Sequence, residues 1–247
     1  MSTAQIPPTE AATPESSAVS RLIGVIVSPK ETFSSIARRP TWFVPFLILC
    51  TLSIAVGGLI AMKTDWRSFF ERKLSENSRF EQMPQERKDQ TIETQARYAP
   101  TIAFVTVIIE TAFILLLVEV VCLGAFNLLK GANLTFPTGW GITTHAFVPS
   151  IIGQVLAIII LLIKPKGDVD PEHFLASSVA AFLPDGAPHW LESLGQSLEL
   201  FWIWTLVLVA IGFSAANPKK IKPGAAFLVV FGIWAVWVCG KVAWAAI

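Results

Sequence analysis

The chain has 247 residues, 53% of them hydrophobic and 15% charged, where a soluble domain carries about 25% charged residues. Nineteen Lys and Arg against eighteen Asp and Glu leave a net charge of +1, so there is no global basic field to hold a nucleic-acid backbone. Composition argues against both an ordinary soluble enzyme and a nucleic-acid binder.

Residues 1–18 are rich in Ala, Ser, Thr, Pro and Glu, with no Lys or Arg and no apolar run. They read as a disordered tail rather than a cleaved signal peptide. Over residues 19–40, Ser28-Pro29-Lys30-Glu31 is a capping box with proline at the first helical position. Leu22, Ile26, Phe33 and Ile36 form an apolar stripe, and Arg38 and Arg39 follow at the negative end of the helix dipole. An N-terminal interfacial amphipathic helix on the inner membrane surface is expected, ended by Pro40. The other reading is a plain helix packed on the bundle.

The remainder, 41–247, contains five segments that reach the roughly 20 apolar residues a membrane helix needs. They run Trp42 to Met62, Ile102 to Leu129, Ile142 to Ile163, Leu198 to Ala216, and Gly224 to Ile247. The fold class expected is an all-α integral membrane protein with five transmembrane helices. Between the first two spans, Asp65 to Phe80 and Pro84 to Tyr98 read as two helices that extend those spans as a hairpin. Phe174 to Leu183 is apolar but too short to span, and suits the interface. Cys50, Cys122 and Cys239 share no metal or disulfide spacing.

Five spans put the termini on opposite sides. One side collects Arg21, Lys30, Arg38, Arg39, Lys130, Lys219, Lys220 and Lys222 in short segments, and short loops weigh most in the positive-inside rule. That side is assigned to the cytoplasm, with the N-terminus, and the C-terminus is external. Arg21, Arg38, Arg39, Lys219, Lys220 and Lys222 are candidate lipid-headgroup contacts, although the same clusters serve ordinary topology determination.

Polar groups inside the spans are costly and point to function or to structural pairing. Alternating span directions place Glu110, Gln154 and Lys241 at comparable depth in the outer half, with Glu199 at the outer boundary and Glu119, Asn127 and His145 in the inner half. Glu110 and Glu119 are nine residues apart, on opposite helix faces at about 3.6 residues per turn. A Glu110 to Lys241 structural contact is favoured over a proton relay. Trp234, Trp237, Lys241 and Trp244 share one face of span five, which suits either a cation–π contact or interfacial anchoring with a snorkelling lysine. Pro149 should kink span three and free the His145 carbonyl. Gly57-x-x-x-Ala61 and Gly212-x-x-x-Ala216 allow close helix approach. No catalytic, metal-binding or cofactor-binding motif is recognisable.

Arg21-Leu-Ile-Gly-Val-Ile-Val-Ser-Pro29 with Phe33, Ile36 and Pro40, then Thr135-Phe-Pro-Thr-Gly-Trp140 leading to Ala146-Phe-Val-Pro149, then Glu199-Leu-Phe-Trp-Ile-Trp204, carry a family resemblance. In this ordering the chain resembles the Yip domain family, five-span membrane proteins first named as partners of Ypt and Rab GTPases. The resemblance covers Arg21 to Ile247 and points to a bacterial-type member, given the long charged insertion from Lys63 to Thr101. It implies a cytosolic N-terminus, no known chemistry, and roles in membrane traffic, membrane shaping or partner recruitment. Binding of Rab-type GTPases is not expected in a bacterial member.

The function expected is a non-enzymatic scaffold or membrane organiser of the inner membrane, contacting the lipid bilayer and either a protein partner or further copies of itself through the spans. The alternative is a small channel or proton-coupled transporter using the intramembrane carboxylates, against which stands the missing inverted repeat.

Overall fold

The computed structural model describes residues 17–75, 78–172, 175–184 and 186–246. The expected tail lies outside the described residues except at its end, where Ser17 caps the first helix by accepting from the Ser20 amide at 3.1 Å. The first residue of the expected 174–183 interfacial segment and the last residue of span five also lie outside them.

The described residues are helical, with no strand beyond an isolated bridge between Ser178 and Glu199. Helices α1 (Ala18–Val27) and α2 (Pro29–Arg38) are separated only by Ser28. The capping box marks this boundary, yet its side-chain bonds do not form: the Ser28 amide donates to the Gly24 carbonyl, and its hydroxyl makes no cap bond. Gly24 has no side chain because one would press on Thr32 of α2.

Helix α3 (Phe43–Lys63) is the first span, and α4 (Trp66–Ser75) and α5 (Ser78–Glu81) follow it. Helix α6 (Gln85–Lys130) is a single helix of 46 residues with Pro100 inside it. At 1.5 Å per residue it is about 69 Å long, more than twice the roughly 30 Å hydrocarbon core. The helix expected over Pro84 to Tyr98 as an extension of span two is the polar first third of α6. Helix α4 packs along it, with Trp66, Phe69 and Phe70 in mutual ring contact. Asp65 caps α4, and Lys73 pairs with Glu172.

Gly131 closes α6 at φ +58, a left-handed position that favours glycine, and its amide returns to the Asn127 carbonyl. Span three is two helices, α7 (Phe136–Ala146) and α8 (Val148–Ile163), hinged at the buried Phe147. Pro149 occupies the first turn of α8, where its missing amide is least costly. The span thus begins six residues before the expected Ile142.

After a 3-10 turn at Val179–Phe182 come α9 (His189–Ser197), α10 (Leu200–Ala216) and α11 (Pro223–Ala245). Among the described residues four helical segments are long and apolar enough to cross a membrane: Phe43–Lys63, Gln85–Lys130, Phe136–Ile163 and Pro223–Ala245. The expected fourth span, α10, has 17 residues, or about 25 Å. It starts late because Glu199 caps it and the backbone just before it pairs with residues 177–179.

Helix α10 is the axis of the main core, with α2, α7, α8 and α11 around it. Phe33, Ile36, Val25, Phe126, Ile142, Val209 and Phe213 are buried there, and the Phe126 and Phe213 rings stack at 4.9 Å. Gly212 admits α2, since a Cβ there would lie 3.1 Å from the Phe33 ring. The apolar stripe expected on the membrane surface packs instead on the bundle, the other reading: Phe33 meets Gly212 of α10 and Ile36 meets Gly141 of α7. The apolar face left exposed is instead Val19, Ile23 and Val27 of α1. Around α3, α6 and α8 lie two smaller clusters, one built on Leu49, Leu115 and Phe147 and the other on Val56, Ile60 and Leu161.

Candidate intramembrane polar site

Small hydroxyl residues bring polar atoms into the α3, α6, α8 bundle at low steric cost. Gln154 of α8 donates through Nε2 to Ser53 Oγ of α3 at 3.1 Å, and Ser53 Oγ lies 2.8 Å from Thr111 Oγ1 of α6. Thr111 in turn donates to the Val107 carbonyl at 2.9 Å. Because each hydroxyl has one proton, the chain runs Gln154 to Ser53 to Thr111 to backbone. Gln154 Oε1 is buried and without a hydrogen-bond partner.

These groups line a cavity of about 210 Å³ whose other walls include Leu49, Val56, Ile114, Phe147 and Ser150. Glu110 lines it too, with a largely exposed side chain. Glu110 and Gln154 thus line the same cavity. The structure does not bring Lys241 to them. Among the described residues neither Glu110 nor Lys241 has an ion-pair partner, so the favoured internal Glu110 to Lys241 contact is corrected. The reason is lateral: α11 packs chiefly on α10 and α9, away from α3 and α8. No ring holds the Lys241 ammonium among the described residues, and Trp237 and Trp244 point outward.

The residues expected in the inner half are held separately. Glu119 is fully buried, and its Oε2 accepts from Thr143 Oγ1 at 2.8 Å while Oε1 has no partner. Its carboxyl rests over Gly139, where a Cβ would stand 2.8 Å from the carboxyl carbon. His145, also buried, has Nδ1 2.8 Å from the Gly141 carbonyl. Asn127 is used differently: its amide donates to the Leu134 carbonyl and accepts from the Leu134 amide, clamping the 131–135 loop. Glu199 is a helix cap, with Oε2 accepting from the Trp202 amide at 2.6 Å.

The basic candidates divide. Arg38, Arg39, Lys219, Lys220 and Lys222 are exposed, and the buried Ile221 anchors the last loop. Arg21 is a correction: it is 8% exposed and donates to the Arg39 carbonyl and Thr41 Oγ1, tying α1 to the turn before α3. Ser53 and Thr111 are not singled out by motif, and Gly139 appears only as part of Thr135-Phe-Pro-Thr-Gly-Trp140. Their signal is a small or hydroxyl residue within an apolar span. Among the described residues no group of His, Cys, Asp or Glu is arranged to hold a metal ion.

Comparison with known proteins follows this geometry. The chain is 27% identical over 217 residues to a protein of Bacillus subtilis (strain 168) described as membrane protein YknW, covering 87% of each chain. No solved structure matches. The Yip1 domain matches residues 23–245, all the helices that build both polar groups, and the chain belongs to the Yip1 domain family.

Proposed function

We propose that this protein is a five-span, non-enzymatic membrane organiser of a bacterial inner membrane, with its N-terminus in the cytoplasm and its C-terminus outside. The observation that carries this reading is the use made of the intramembrane polar groups. Thr143 to Glu119 and the Gln154, Ser53, Thr111 chain join helix to helix, as expected of polar residues that hold a bundle together. What the fold leaves for other molecules lies beyond the apolar layer. On one side it presents the polar arm of α4 and the first third of α6, and on the other the exposed Arg38, Arg39, Lys219, Lys220 and Lys222. In this reading α10 is the fourth of the five spans, completed by the paired segment before it, and α1 lies at the inner interface with Val19, Ile23 and Val27 toward lipid. The basic residues contact anionic headgroups, each contributing about 1 kcal/mol.

The cavity beside Glu110 is what favours the second reading, a small channel or proton-coupled transporter. Proton and cation flux into liposomes holding the purified protein separates the two. The organiser reading expects flux no greater than in empty liposomes. Flux that is abolished in folded Glu110→Gln or Glu119→Gln protein would replace it with the channel reading.

A further inference from the structure

Two charged side chains stand at one depth on different faces of the bundle, and among the described residues neither has an ion-pair partner within it. The depth follows from contacts. The bonds from Gln154 to Ser53 and on to Thr111 level α8, α3 and α6 at Glu110. Gly153 abuts the Phe201 ring, which sets the start of α10 at that same level. From the 217–222 loop, α10 rises about 24 Å to Leu200 and α11 about 27 Å to Lys241. Lys241 is therefore level with Glu110. The buried residues that α6 and α11 contribute to the main core, Cys122 and Phe126 with Ala226 and Val230, all lie toward the basic end, so the two helices meet well below this level.

A lone charge in hydrocarbon is costly, and such residues pair with one another or reach water. Glu110 is flanked by exposed Ile109 and Phe113, and Lys241 by exposed Trp237 and Trp244. We propose that Glu110 of one copy pairs with Lys241 of a second copy, so that the α6 face of each chain docks on the α11 face of its neighbour within the membrane. The occupant is a second copy because this chain supplies both charges of a complementary pair at matched depth, Glu110 exposed and Lys241 half-buried, each flanked by exposed apolar side chains.

The cavity beside Glu110 strengthens the pairing. An ammonium group has three protons to place, and a buried ion pair is favourable only when its remaining hydrogen-bonding positions are filled. Gln154 Oε1, buried and unpartnered, offers a second acceptor in the cavity that Glu110 lines. The contact joins two different faces, so it is heterologous and builds a ring or an open row rather than a two-fold dimer. This deepens the organiser reading and rests on it, since a protein that assembles side by side can order a patch of membrane.

The test is oxidative cross-linking in native membranes, with Cys50, Cys122 and Cys239 replaced by alanine. Two copies carrying different tags are expressed together, one with Glu110→Cys and the other with Lys241→Cys. A disulfide joining the two tags is expected, with none above background when Leu228→Cys on the basic half of α11 replaces Lys241→Cys. A second arm uses the folded, monodisperse protein: Glu110→Lys shifts the assembly to monomer mass, and Glu110→Lys with Lys241→Glu restores it. No product above the Leu228→Cys control, or a Glu110→Lys variant that stays assembled, overturns the proposal. Flux in liposomes reads out the organiser reading separately, so a silent cross-link with no flux removes this interface alone.

Discussion

Gly139 holds its position through the absence of a side chain: the Glu119 carboxyl occupies the space a Cβ would take. Overpacking of this kind costs about 1–3 kcal/mol. Gly139→Ala is therefore expected to lower thermal stability in detergent by that amount. Combined with Glu119→Ala it should cost less than the sum of the two, because the clashing group is gone. An additive pair would mean that the carboxyl does not sit there. At the start of α4, the Ser68 amide, then its hydroxyl, hold the Asp65 carboxyl below its ordinary value of 3.8. A carboxyl with a depressed folded value stabilises above the ordinary value and loses that contribution as pH falls through the lowered one. Amide protection over the first turn of α4, measured against the intrinsic exchange rate at each pH, should be constant near neutrality and fall only in acid. Asp65→Ala should show the faster exchange at neutral pH, and unchanged exchange in that variant would remove the cap from the account.

At the level of elements, the Gln154, Ser53, Thr111 chain ties α8, α3 and α6. Interhelical hydrogen bonds in membranes contribute about 0.6 kcal/mol on average and up to about 1.7. Ser53→Ala is expected to cost more than Thr111→Val, because it strips Gln154 of its only bonded group. Thermal unfolding of the two variants and their combination checks this, and a larger loss from Thr111→Val would contradict the donor order. The elements were largely legible in the sequence, since long apolar runs mark spans and Ser28-Pro29 marks a helix boundary. What periodicity could not give was azimuth. The stripe on α2 was readable as an apolar face, but Phe33 meets α10 only because Gly212, far along the chain, clears the space. Likewise the shared depth of Glu110 and Gln154 followed from counting residues, whereas the failure of Lys241 to reach them depends on which neighbours α11 chooses. Arg21 read as a surface charge, whereas it binds a backbone carbonyl and Thr41, acceptors that carry no charge signal in the sequence.

For the whole molecule, the long α6 and the short α10 set the shape. Helix α6 carries the chain from a polar arm through the bilayer to the basic end, while α10 begins near the middle of that path beside Gly153. The Lys219, Lys220 and Lys222 loop lies at the basic end, held by Ser214 donating to the Ile221 carbonyl and Asn217 to the Ala132 carbonyl. Replacing the three lysines by alanine should weaken retention of anionic lipid by about 1 kcal/mol per residue without unfolding the bundle. Lipid co-purification and monodisperse elution measure the two effects, and unchanged retention would assign the loop to topology alone. The central claim is that the chain crosses the membrane five times with this basic end inside. Labelling intact bacterial cells with a membrane-impermeant thiol reagent tests it most directly, in a cysteine-free background carrying Glu93→Cys, Lys220→Cys or Ser20→Cys, with a tag after Ile247 probed from outside. The account predicts that Glu93→Cys and the tag are reached in intact cells, and Lys220→Cys and Ser20→Cys only after permeabilisation. A tag on the same side as Ser20→Cys, or Lys220→Cys labelled in intact cells, would contradict it.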